Sequence, residues 1–164
     1  MFEEDISQIE AVLTELSQVI SDSDDFEDIP LFYDMNELTP NNLPSTGIVF
    51  QAKPWQLTAD GCNYERQLDI CIVESGEHAR NVLLNLFSYG EKLQKLLQNY
   101  ILTSNLELSF LQGSEVRGLR NVKEDTESYK GTKTVYASII VLSYLLRYWF
   151  LWNLSGLEEM DSRI

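Results

Sequence analysis

One histidine and two cysteines are the residues of this 164-residue chain whose types most readily do chemistry, and their spacing offers them few partners. His78 as a general base needs a nucleophile and an orienting acid, and neither a G-x-S-x-G turn nor a reactive-cysteine context accompanies it. It reads as an exposed or capping histidine at the start of a helix. Cys62 and Cys71 stand at the two ends of one expected strand segment, too far apart for a bridge unless the chain doubles back. Two free thiols in a reducing compartment are expected. One histidine and two cysteines make no ordinary zinc site without carboxylates, and neither C-x-x-C nor H-E-x-x-H occurs. There is no P-loop and no G-x-G-x-x-G. With 26 acids in the chain, some carboxylates will be neighbours by chance, so a carboxylate pair carries little weight. The chain reads as a non-enzyme with no catalytic residue, metal or cofactor.

Charge is more informative than any single side chain. The formal net charge is −14, and residues 1–52 contain 12 acids and no Lys or Arg, so the remaining residues are nearly balanced. Phosphate contacts depend on Lys and Arg, which argues against adhesion to nucleic acid or anionic lipid. The densest acidic run is Asp22, Asp24, Asp25, Glu27 and Asp28, expected as a solvated, mobile connection. Five of the 12 bases, Arg117, Arg120, Lys123, Lys130 and Lys133, gather in a later segment. The N-terminus is acidic where a secretory signal would be basic, so synthesis in the cytoplasm is expected.

The elements that must position these groups follow from periodicity. Phe2, Ile6, Ile9, Leu13, Leu16 and Ile20 alternate spacings of four and three, which predicts an amphipathic helix over residues 3–21. Ile29 to Tyr33 fits a short edge strand, because Pro30 is tolerated only there. Gly47 to Gln51 reads as a strand stopped by Lys53-Pro54. Asp60-Gly61 is a turn dipeptide, so Ile48 to Gln51 and Tyr64 to Val73 are expected to pair through a long hairpin. In the latter, Leu68, Ile70 and Ile72 alternate with Gln67, Asp69 and Cys71, giving one core face and one wet face. Ser75 then offers an N-cap and Glu77 a first-turn acid. From Ala79 the stripe Val82, Leu83, Leu86, Phe87, Leu93, Leu96, Leu97 and Tyr100 predicts a long helix lying on that sheet. Gly90 in its middle costs about 1 kcal/mol against Ala, which close approach to the sheet would explain.

Leu106, Leu108 and Phe110 alternate with polar residues as a further strand, with a turn or bulge at Gly113-Ser114. Residues 115–124 continue it as an arm, with an exposed tip over 124–131. Val135 to Trp152 is almost wholly apolar and long enough to raise a membrane span. Against that, Arg147 would cost about 2.5–3.5 kcal/mol near a membrane centre. A strand buried on both faces over Tyr136 to Leu146, bending or ending near Arg147, fits better. Tyr148, Trp149 and Trp152 suit core packing or a subunit interface, where aromatics with a polar edge act as anchors. The polar tail 153–164 is expected to fray or dock on a neighbour. The fold class expected is α+β. It is one domain over 1–152, with a mixed, mostly antiparallel sheet, an N-terminal helix and a long helix on one face, and an extended β-arm.

That order of elements over about residues 3–150 resembles the tail terminator, or tail-completion, proteins of tailed bacteriophages. An N-terminal amphipathic helix, a Pro-punctuated passage, the strand Leu68 to Val73 running into a helix from Glu77, a charged arm and a last strand carry the likeness. No short motif defines that family. The resemblance implies a virion protein of the tail or neck, assembling as a hexameric ring. Such a ring caps the tail tube protein, meets the head-side connector, and lets DNA pass without specific binding. In such a ring the acidic front of one subunit would steer onto the neighbour's basic arm. Apart from the resemblance, the same charge pattern fits a soluble acidic adaptor or inhibitor of a basic partner. Within the structural class, a neck or head-closure protein fits too.

Overall fold

The computed structural model describes residues 2–38, 44–54, 56–57, 64–103, 106–116, 121–125 and 132–147. The first element is helix α1, Phe2–Asp22, close to its expected span, and it buries Val12, Leu16 and Ile20 completely. The acidic run follows as a 3-10 turn over Asp24–Phe26, whose acids are solvated as expected while the Phe26 ring is buried against Tyr89.

Strand β1, Leu31–Phe32, pairs in parallel with β2, Thr46–Ala52. A second 3-10 turn, Met35–Glu37, lies between them, opened by Asp34, whose side chain accepts from the Asn36 N–H. Sequence patterning did not reveal this turn, nor the two-residue strand β3, Gln56–Leu57. The long strand β4, Tyr64–Gly76, is antiparallel to β2 in the register Ile48 opposite Ile72, the hairpin pairing that was expected. Its turn, with Asp60-Gly61 and Cys62, lies outside the described residues.

Helix α2, Ala79–Leu97, begins later than expected. Ser75 is not its N-cap, because the β4 ladder continues as far as Gly76, opposite Tyr136. The Ser75 hydroxyl instead donates to the Pro44 carbonyl, and its N–H to the Ser45 carbonyl. His78 takes the N-cap position, exposed and without a side-chain capping bond. Val82, Leu86, Gly90, Leu93 and Leu97 form the buried stripe, while Phe87 stays partly exposed. A Cβ on Gly90 would sit 3.2 Å from the Ile140 Cδ1, which bears out the close approach of helix to sheet.

The remaining strands are β5, Glu107–Val116, β6, Asn121–Asp125, and β7, Thr132–Arg147. As far as Arg147, the apolar run that raised a membrane span is thus a strand between β4 and β5, and no helix among the described residues is long and apolar enough to cross a membrane. The order is β1-β2-β4-β7-β5, with β3 on β4 and β6 on β7. Every pairing except β1 with β2 is antiparallel. Gly113 is in register with Leu142; the irregularity falls earlier, between Phe110 and Gln112, where Leu111 is the extra residue. β6 continues along β7 in the direction of β5, and its ladder reaches Thr132, past Tyr136 where β4 ends. This is the expected arm; residues 117–120 within it and 126–131 of its expected tip lie outside the described residues.

Two apolar clusters result. On the helix side, α1 and α2 bury Ile48, Phe50, Leu68, Ile70, Ile72, Leu142, Tyr144 and Leu146. On the other side Val49, Cys71 and Val73 are fully buried under Phe32, Met35, Leu38, Ile139 and Val141. The expected wet face of β4 is therefore covered at its centre. Period-two alternation ranks Cys71 with Asp69, but the 3-10 turn after β1 brings an apolar lid that no local pattern encodes. Both parities of β7 carry apolar residues, as a strand buried on two faces requires.

Candidate interaction surface

The acidic segment is built on a wedge. Phe26 meets Tyr89 at 5.9 Å between ring centroids, and Lys92 reaches both that ring, at 5.5 Å, and an Asp25 oxygen, at 3.9 Å. The Gln18 amide donates to Asp22 at 2.8 Å. Asp28 turns the chain with φ at 63°, a left-handed conformation that a short polar residue tolerates. Asp22, Asp24, Asp25, Glu27 and Asp28 are all exposed, so one short turn displays five carboxylates. Lys92 is an exposed partner, and such a pair is worth little in water. The turn keeps nearly its full negative charge.

The basic residues divide differently. Lys123 lies on β6 in register with Thr134, and Lys133 on β7 in register with Glu124. Arg117, Arg120 and Lys130 lie outside the described residues, as do Tyr148, Trp149 and Trp152. The acidic turn leads into β1, at one end of the sheet order, and the arm grows from β7 and β5 at the other. In strand order, Lys123 and Lys133 thus lie on strands near the end opposite β1, into which the acidic turn leads.

Ionisable groups inside the sheet are structural. Burial pushes the Cys71 thiol up to about 12, with Asp69 adding to the shift, so it is no thiolate nucleophile. Asp69 lies within 3.8 Å of Lys53 and accepts from the Gln67 amide at 2.8 Å. Glu74 is buried on the helix side, accepting from Thr46 Oγ1 at 2.6 Å and Asn85 Nδ2 at 3.3 Å. Burial raises its pKa, and those two hydrogen bonds oppose the rise. Among the described residues no group of three His, Cys, Asp or Glu is placed to hold a metal ion.

One feature escaped the sequence. Between the C-terminal half of α2 and β5 lies an open groove of about 570 Å³. Leu97, Leu108, Phe110 and Tyr144 contribute its apolar lining, and Glu91 and Lys95 its charged rim. Phe110 packs edge-on against Tyr144 at 5.4 Å yet remains 41% exposed, and Leu111 beside it is 49% exposed. Tyr144 is 2% exposed, and its hydroxyl is buried without a hydrogen-bond partner. Burial pushes its pKa up to about 12. Period-two alternation marks Leu108 and Phe110 as core; only the strand order shows that β5 is an edge that α2 leaves partly uncovered. Compared with known proteins, the chain matches no protein-family model and shows no significant match to a curated protein.

Proposed function

We propose that this chain is a virion protein of the tail-terminator type. It forms a ring, hexameric by the family resemblance, that caps the tail tube and joins it to the head-side connector. The observation that carries this reading is the β6–β7 ladder extending past the end of β4, on a sheet whose opposite end in strand order follows an exposed acidic turn. A ring of identical subunits needs two different surfaces on each copy, so that a heterologous contact can close. An acidic turn and an arm whose sequence carries five bases are such a pair, and their opposite charge steers the encounter. The order helix, Pro-punctuated passage, strand, long helix, arm and last strand also supports the reading. Acids lining the lumen would repel DNA and let it slide, which is the role a tail conduit requires.

The test is electron microscopy of purified tail tubes incubated with the purified chain. The expected result is a ring at one tube end and arrest of further tube growth. Tubes that keep growing with bare ends overturn the proposal. A chain that stays monomeric with tubes and instead binds a basic protein through residues 22–28 would identify the acidic adaptor.

A further inference from the structure

We propose that the groove between α2 and β5 receives the aromatic segment Tyr148–Trp152 of a neighbouring copy of this chain. This deepens the ring reading, since it rests on the chain associating with itself. The groove presents what an aromatic anchor needs: an apolar floor of Leu97, Leu108, Phe110 and Tyr144 with a charged rim.

The chain itself contains the matching segment. Beyond Arg147, where the described β7 ends, 17 residues follow, and they open Tyr148-Trp149-Phe150-Leu151-Trp152. Leu146 is in register with Leu108 and Tyr144 with Phe110, so in sequence Tyr148 follows two and four residues after the two β7 positions that pair with the groove floor. Seating it in its own groove requires the chain to reverse at once. The five residues contain no Gly, Pro, Asn, Asp or Ser to make that reversal; the first turn-forming residues are Asn153 and Ser155-Gly156. A neighbour's groove requires no reversal. Groove and segment are different patches of one chain, the condition for head-to-tail closure. Among the described residues β5 is the last strand of the order, and its Leu108 to Phe110 stretch borders the groove.

The test places a photo-crosslinking amino acid at Gln94, an exposed α2 residue on the groove, in the full-length chain. Isotopically heavy and light chains are mixed at high concentration, with and without tail tubes, and illuminated. The expected product joins a heavy chain to a light one, with the link mapped to residues 148–152. Replacing Trp149→Ala and Trp152→Ala together weakens self-association at least about 10-fold, as loss of aromatic anchors does. The thermal midpoint of the monomer stays unchanged. Links confined within single chains, links to another segment, or no link at all overturn the inference. A chain that caps tubes while Gln94 links elsewhere refutes the groove assignment alone. Links to 148–152 in a protein that never caps tubes refute the terminator reading alone.

Discussion

Glu74 shows how little a residue's type says about its setting. By sequence it is one of 26 acids and lies where β4 was expected to end; in the fold it is 4% exposed and joins β2, β4 and α2 through Thr46 and Asn85. Its pKa is raised, chiefly by burial. The folded chain therefore holds this proton more tightly than the unfolded chain, and stability falls as pH rises from the ordinary carboxylate range through the raised value. Above that value the cost of the buried charge is complete. Glu74→Gln keeps an acceptor for the Asn85 amide and a polar partner for Thr46, whose hydroxyl rotates to suit. The variant should gain on the wild type in thermal midpoint as pH is taken from 4 to 7, measured by circular dichroism. A difference that stays constant across that range would refute the assignment of the titrating group.

At the scale of elements, the packing of α2 on β7 sets the tolerance of the helix to change. Gly90 lies where a Cβ would stand 3.2 Å from Ile140 Cδ1 and 3.7 Å from Ile140 Cγ2. Alanine gains about 1 kcal/mol of helix propensity. The Ile140 methyl it meets ends a side chain that is only partly buried, so it has room to shift. Leucine must find space for three more carbons in the same gap, and overpacking costs about 1–3 kcal/mol. Urea denaturation should place Gly90→Ala within about 1 kcal/mol of the wild type and Gly90→Leu clearly below it. Equal stability of both variants would mean that α2 stands farther from the sheet than these distances state. The bulge at Leu111 belongs to this scale too. It leaves Phe110 facing the groove with Tyr144 and puts Gln112 in register with Ser143, so the apolar face of β5 stops short of the arm.

For the whole molecule, the ring proposed above makes charge the term that steers association. Five exposed carboxylates in one turn and a segment rich in bases attract over a Debye length of about 10 Å at 0.1 M salt and about 3 Å at 1 M. Association of subunits with one another and with tubes should slow several-fold over that range in stopped-flow light scattering. A rate independent of salt would remove charge steering from the assembly. What the sequence by itself determined is the set of elements: α1, β2, β4, α2, β5 and β7 follow from period, because burial of one face imposes a spacing of two or of 3.6 on any strand or helix. It also determined the acidic turn, since charge density is a property of composition. Tertiary structure alone decided the rest. Cys71 is covered because a distant 3-10 turn folds over it, and Ser75 stays in its strand because β7 prolongs the ladder. Phe110 is left half open because β5 falls at the sheet edge beyond the reach of α2. The physical reason is common to all three. Periodicity reports which face of an element avoids water, whereas the partner that covers that face, or fails to, comes from elsewhere in the chain.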